Sequence, residues 1–168
     1  MSHDQYLYRY IQSANSPKGQ WHVNVPSGIL TAKKEAERSN TGRFDKEGFI
    51  SYALNRAKEI DAVCVASQPN HQHVSWKELD HDKKKYVDTG VFDGESIFLV
   101  EAKTTEEGLF KGLGQLKTYS THFRNYWDAK RVEEILVLLG DDVDEYYIDV
   151  NKELPVKFAV YPEPEKQL

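Results

Sequence analysis

Three charged residues, Asp88, Glu101 and Lys103, lie where alternating apolar residues predict the two strands of a hairpin. Side chains alternate between the faces of a strand, so Glu101 and Lys103 share one face. A type II′ turn centred on residues 94–95 places Asp88 directly opposite Glu101, and a turn centred on residues 93–94 places it diagonally on the same face. A three-residue loop would turn Asp88 to the other face. Facing carboxylates repel each other unless a cation lies between them, so the first two registers predict a divalent metal site.

The bulk composition indicates one globular domain spanning residues 1–168. Hydrophobic residues make up 39% of the chain and charged residues 29%, as in ordinary globular proteins. No apolar run approaches the roughly 18 residues of a membrane span, so we expect no membrane partner. The lone Cys64 lies in an apolar run, and the first residues lack the basic and apolar regions of a secretory signal. We therefore expect an intracellular, cytoplasmic protein.

The net charge of −5 is unevenly distributed along the chain. Residues 133–168 hold ten acids and three bases, a balance of −7, which leaves +2 for residues 1–132. Three consecutive lysines, residues 83–85, stand just before Asp88. Nucleic acids attract basic surfaces, so a locally basic rim around an acidic site keeps a nucleic-acid partner open. Ordinary solvated lysines remain the alternative interpretation.

The pattern along the chain predicts an α/β fold with a mixed sheet flanked by helices. Apolar spacing predicts a helix over about residues 45–60, with Glu47 at the edge of its apolar face. Thr104 and Glu107 match a capping box, and the helix that follows extends to about Trp127. The predicted strands lie at about residues 5–12, 20–26, 62–66, 86–92, 96–103, 135–139, 145–150 and 156–161.

Two further polar residues lie on the second predicted helix. Gln115 and Tyr119 are four positions apart, so they lie together along one edge of the apolar stripe. That helix directly follows Lys103, which brings its edge near the hairpin. An ordinary helix edge is the alternative interpretation of this pair.

These residues resemble the PD-(D/E)XK nuclease superfamily, which includes restriction enzymes, Holliday-junction resolvases and RecB-like nucleases. The resemblance covers about residues 43–139 and rests on Asp88 with Glu101-Ala102-Lys103, and on the predicted helix, three strands, helix, strand order (αβββαβ). Gln115-Leu116-Lys117-Thr118-Tyr119 looks like the Gln-x-x-x-Tyr signature of RecB-like members. The sequence Gly42-Arg43-Phe44-Asp45-Lys46-Glu47 is similar to the opening of the first helix in resolvases. The implied fold is restriction endonuclease-like, with extra strands at both termini.

The resemblance implies a metal site. Asp88, Glu101 and the Ala102 carbonyl would bind one or two Mg²⁺ or Mn²⁺ ions, which prefer oxygen ligands, and Glu47 would add a carboxylate. Such an ion polarises the scissile phosphate and generates a nucleophile from water near neutral pH.

The resemblance also implies an activity, hydrolysis of DNA phosphodiester bonds. Lys103 would orient the attacking water and neutralise charge in the transition state, while Gln115 and Tyr119 would hold a phosphate oxygen or the lysine. RNA is not excluded as substrate, the choice between endonuclease and exonuclease stays open, and a homodimer could cut both strands of a duplex. The alternative is a catalytically inactive nuclease-fold module that binds nucleic acid or a protein partner.

Overall fold

The computed structural model of the chain describes residues 2–26, 59–66, 91–105, 108–140 and 156–162. In this part of the chain, five strands form one mixed sheet, with a helix on each face. The predicted class, a mixed α/β sheet flanked by helices, is therefore confirmed. The strands in chain order are β1 (Gln20–Pro26), β2 (Glu59–Val65), β3 (Ser96–Lys103), β4 (Arg131–Leu139) and β5 (Lys157–Tyr161).

The spatial order of the strands follows the chain order, β1-β2-β3-β4-β5. Strand β2 is antiparallel to both of its neighbours, whereas β3, β4 and β5 are mutually parallel. The apolar run at residues 135–139 of β4 is buried throughout, as expected for a strand covered on both faces. Strand β3 is the third of the five strands and therefore lies at the centre of the sheet.

The first helix, α1 (His3–Gln12), lies where the sequence predicted a strand, so the prediction for residues 5–12 was wrong. The alternating tyrosines suggested a strand, but Leu7, Tyr10 and Ile11 are buried at helical spacing. Ser2 and Gln5 form a reciprocal capping box at the start of the helix. The helix packs on one face of the sheet, against strand residues such as Trp21, Val23, Ala62, Val100, Ala102 and Val137.

The second helix, α2 (Gly108–Tyr126), covers the opposite face and confirms the helix predicted after Lys103. Its buried residues join those of the sheet in a second core, which includes Val63, Leu99, Leu109, Leu116, Phe123, Leu136 and Leu138. The Thr105 hydroxyl accepts a hydrogen bond from the Gly108 N–H, which stabilises the free amide end of the helix. Neither described helix is long and apolar enough to cross a membrane.

A turn forms before β3, in the alternative of the two predicted positions and not as the type II′ turn on residues 94–95, and the predicted strand pairing differs. Glu95 N–H bonds to the Phe92 carbonyl, and Gly94 has φ +73°, so the turn centres on residues 93–94. Residues 97–100 of β3 pair with β2 on one side and with β4 on the other. The hairpin predicted with residues 86–92 is therefore wrong along residues 97–100 of β3, because β2 occupies that edge; residues 86–90 themselves lie outside the described residues.

Two other predicted elements fall mostly outside the described residues. The helix predicted over residues 45–60 lies outside them except for its last two residues, which belong to β2 instead. The strand predicted at residues 145–150 lies outside them entirely. The described elements run α1-β1-β2-β3-α2-β4-β5 in chain order.

Gly19 permits a close backbone contact between the start of β1 and the end of β2. A Cβ atom at this position would lie 2.2 Å from the Val65 carbonyl oxygen, and the residue has φ +155°. We expect Gly19→Ala to lower the free energy of unfolding by about 3 kcal/mol, because backbone atoms must move to relieve the clash. Urea denaturation measures this difference.

Gly114→Ala is the matched control, since a Cβ at this position of α2 meets nothing within 4 Å. Alanine is favoured over glycine in a helix by about 0.5–1 kcal/mol, so this variant should gain stability. Equal stability of the two variants would contradict the close contact at Gly19.

Candidate functional site

The candidate site lies where backbone pairing between β2 and β3 ends. The last described pair of this ladder is Ala62 with Val100, and one residue further Asp61 faces Glu101. The Asp61 carboxylate accepts a hydrogen bond from the Ala102 N–H (2.8 Å), and Glu101 Oε1 accepts one from the Asp61 N–H (3.2 Å). Side chains thus replace backbone partners here, and they fix two carboxylates next to each other. We call Asp61 and Glu101 the carboxylate pair.

The side chain of Glu101 is almost completely buried, with 4% of it exposed, which is uncommon for a glutamate. Burial, reinforced by the neighbouring Asp61 charge, raises the pKa of Glu101 to about 8. Lys103 Nζ lies 3.8 Å from Glu101 Oε2 and offsets only part of this effect. Without a bound cation, Glu101 therefore keeps its proton to a higher pH than an exposed glutamate does.

Lys103 shares the α2-facing side of β3 with Glu101, as the alternation of the strand predicted. Its aliphatic chain runs beneath the first turns of α2. A Cβ atom at Gly112 would lie 3.1 Å from both Cγ and Cε of Lys103, and one at Gly108 would lie 3.4 Å from its Cβ. The two glycines therefore let the helix pack directly onto the lysine chain, which leads its ammonium group to the carboxylate pair.

Tyr119 and Gln115 lie on the flank of α2 that faces this site. Tyr119 is buried, and its burial together with the charges of Glu101 and Asp61 raises the pKa of its phenol, which therefore stays protonated. Gln115 lies one turn earlier, and its Oε1 atom is buried without a hydrogen-bond partner among the described residues. Tyr119 is thus brought to the carboxylate pair, while Gln115 presents an amide with unused hydrogen-bonding capacity.

His3 reaches the same place from the opposite face of the sheet. Its Nε2 atom lies 2.9 Å from the Ala102 carbonyl oxygen and 3.6 Å from Asp61 Oδ2, and its Nδ1 atom lies 3.1 Å from Asp4 Oδ1. Hydrogen bonding to Asp61, helped by Asp4 and Ala102, raises the pKa of His3 to about 9, although partial burial opposes the shift. The sequence interpretation missed His3, because the capping box at Ser2 and Gln5 was the only signal that a helix begins here.

The structure brings together part of the predicted residue set. Glu101, Lys103 and Tyr119 meet at one site, and the Ala102 carbonyl lies beside them. Asp88 and Glu47, both predicted as metal ligands, lie outside the described residues. Among the described residues, Asp61 supplies the carboxylate that faces Glu101.

Asp61 could have been found from its spacing. It precedes the buried run at residues 62–65 and alternates with Val63 and Val65, so it lies on the same face as these two residues. The sequence interpretation instead ended a helix at Ile60 and began the strand at Ala62. Asp61 therefore fell between the two predicted elements and was assigned to neither face of the sheet.

The donor set fits a hard divalent cation. Two carboxylates and one backbone carbonyl provide oxygen ligands, and Mg²⁺ is typically bound by one or two carboxylates with water and substrate filling its other positions. Burial and the neighbouring Asp61 charge both disfavour the ionised form of Glu101, and a cation bound to the carboxylate would offset both effects. In the described part of the chain, no three His, Cys, Asp or Glu side chains already surround one point as a ligand set.

A surface cavity of about 470 Å³ lies along the other flank of α2. Lys117 and Arg124 point into it, but both pair with the buried Glu134, with Lys117 Nζ 2.6 Å from its carboxylate. Glu133 likewise pairs with Arg131 and Lys157. Four basic side chains thus share two carboxylates here, an arrangement that repels a metal ion. The carboxylate pair with Lys103 is therefore the stronger candidate for a cation site.

Comparison of the chain with protein-family models, with curated proteins and with solved structures gives no match. The chemistry of the site is therefore argued from its own residues.

Proposed function

We propose that this chain is a metal-dependent nuclease that hydrolyses phosphodiester bonds of DNA, with a restriction endonuclease-like core. The observation that carries the proposal is the carboxylate pair at the end of the β2–β3 ladder, with the Lys103 ammonium 3.8 Å from Glu101. Two adjacent carboxylates and a lysine in a partly buried site are suited to binding a divalent cation and a phosphate together. An ordinary structural ion pair would not need a second, partly buried carboxylate.

Asp61, Glu101 and the Ala102 carbonyl would hold Mg²⁺ or Mn²⁺, which supplies a Lewis acid for the phosphate and a water of lowered pKa. Lys103 is placed to orient the attacking water and to neutralise charge that develops on the phosphate oxygens. Tyr119 is a hydrogen-bond donor at the edge of the site, and Gln115 can accept a hydrogen bond or, after an amide flip, donate one.

Two broader observations support the proposal. The described elements α1-β1-β2-β3-α2-β4 follow the αβββαβ order, with Glu101 and Lys103 on the strand that precedes the second helix. This order includes α1 and β1, whereas the sequence interpretation built it from the helix predicted over residues 45–60 and the strand predicted at residues 86–92. The excess of acids lies at residues 133–168, which leaves the part of the chain that carries the site slightly basic.

The proposal is tested by incubating the chain with labelled single-stranded, double-stranded and branched DNA, and with RNA, in Mg²⁺, Mn²⁺ or EDTA. We expect cleavage of DNA with either metal and none in EDTA. Asp61→Asn should lose at least about 100-fold in rate, because it removes a charged ligand at nearly constant size. Asp128→Asn is the matched control, since it changes an exposed carboxylate beyond the end of α2.

Intact substrates in every condition, with a folded chain, would contradict the nuclease proposal. DNA retained without cleavage would favour the alternative of an inactive nucleic-acid-binding module. Equal loss in Asp61→Asn and Asp128→Asn would show that the carboxylate pair is not the site of the activity.

A further inference from the structure

His3 lies beside the carboxylate pair. Its Nε2 atom lies within hydrogen-bonding distance of the Ala102 carbonyl oxygen and 3.6 Å from Asp61 Oδ2. The Ala102 carbonyl and the Asp61 carboxylate are two of the three groups proposed above as ligands of the divalent ion. An imidazole N–H that binds these groups competes with an ion for their lone pairs.

The contacts of the ring show what it offers. Nδ1 faces the Asp4 carboxylate at 3.1 Å, and among the described residues Nε2 faces two oxygen acceptors. Because carboxylate and carbonyl oxygens only accept, the nitrogen that faces the site presents an N–H to it. That nitrogen has no free lone pair toward the site, so His3 is a hydrogen-bond donor there and not a metal ligand.

The position of His3 is fixed by its helix. It is the first residue of α1, whose start is held by the Ser2–Gln5 capping box. The buried residues Leu7, Tyr10 and Ile11 attach that helix to the sheet. The histidine is only half-buried, so its side chain can leave the site while the helix stays in place.

We infer that His3 is a built-in competitor for the divalent cation, one whose side chain must leave the Ala102 carbonyl and Asp61 before the ion binds. The inference rests on the proposed metal site and adds a residue that sets its affinity. If only the fraction of molecules with His3 displaced can bind the ion, the measured affinity is reduced by that fraction. Removing the side chain should therefore tighten ion binding, although it removes a polar group from the site.

The test is the dissociation constant of Mn²⁺ alone, measured by calorimetry at one fixed pH without nucleic acid. We expect His3→Ala to lower Kd about tenfold or more, the size of one hydrogen bond between charged groups. Asp4→Asn should lower Kd by less, because it removes only the carboxylate that holds Nδ1. His122→Ala is the matched control, since it removes an exposed histidine of α2.

If Mn²⁺ binding is unchanged or weaker in His3→Ala, His3 is not a competitor for the ion. The proposed metal site is retained in that case if wild-type binding depends on Asp61. No binding by wild type, His3→Ala or Asp4→Asn would overturn both the competitor and the proposed site. Binding by His3→Ala alone would support the competitor most strongly. Circular dichroism of each variant verifies that α1 is retained.

Discussion

Lys103→Met is expected to lower the single-turnover rate of DNA cleavage by about 100- to 1,000-fold, the usual cost of removing one group that stabilises transition-state charge. Methionine keeps much of the chain that packs beneath Gly108 and Gly112, so the fold should persist. The loss should fall on the chemical step, because Lys103 Nζ is placed beside the carboxylate pair. Mn²⁺ binding should be retained, since lysine is not among the oxygen ligands. Quenched-flow measurement at saturating enzyme separates the chemical step from binding.

Lys111→Met is the matched control for this substitution. Lys111 is an exposed lysine on the same helix. Its loss should leave the rate within a few-fold of wild type. A Lys103→Met rate close to that of Lys111→Met would contradict the role assigned to Lys103.

The ion-free protein is expected to lose stability as the pH rises from about 4.5 to 9. The pKa of Glu101 is raised from 4.5 to about 8 and that of His3 from 6.5 to about 9, so the folded state binds both protons more tightly than the unfolded state. The stability from Glu101 is fully present below pH 4.5 and is lost as the pH passes 8. That from His3 is present below 6.5 and is lost as the pH passes 9. The free energy of unfolding, measured in EDTA across this range, should fall most steeply between pH 6.5 and 8.

Glu101→Gln is the informative variant for this pH dependence. It removes the buried charge at constant size, so at pH 8.5 in EDTA it should be more stable than wild type by about 2–3 kcal/mol. Mg²⁺ or Mn²⁺ should restore stability to wild type at this pH and not to Glu101→Gln, because an ion that binds only the folded state stabilises it. A wild-type stability that is flat with pH, or that rises, would contradict the shifts assigned to this site.

Much of the fold could be predicted from local patterns. The apolar run of β4, the helix after Lys103 and the turn at Gly94 all follow from spacing and turn chemistry. The shared face of Glu101 and Lys103 follows from the two-residue period of a strand. Each of these is a property of a few consecutive residues.

One error is local, since the alternating tyrosines of α1 suggested a strand, and the other concerns pairing across a long distance. Adjacent segments joined by a good turn favour a hairpin, but β3 pairs with β2, which lies more than thirty residues earlier in the chain. Sequence patterns cannot rank such pairings, since they depend on which apolar faces the whole sheet buries. Asp61 was missed for a local reason, since the predicted strand began one residue too late, at Ala62. The rule that two facing carboxylates need a cation applies directly to Asp61 and Glu101.

Another consequence follows from the two glycines above Lys103. A free lysine side chain has about 2 kcal/mol of rotamer entropy, which a flexible residue must lose when it engages a phosphate. Because Gly108 and Gly112 let α2 press on the aliphatic chain, most of this freedom is already lost when the protein folds. The ammonium group would therefore meet the proposed substrate with little further ordering, because the packing of the helix on the sheet has already met this entropy loss.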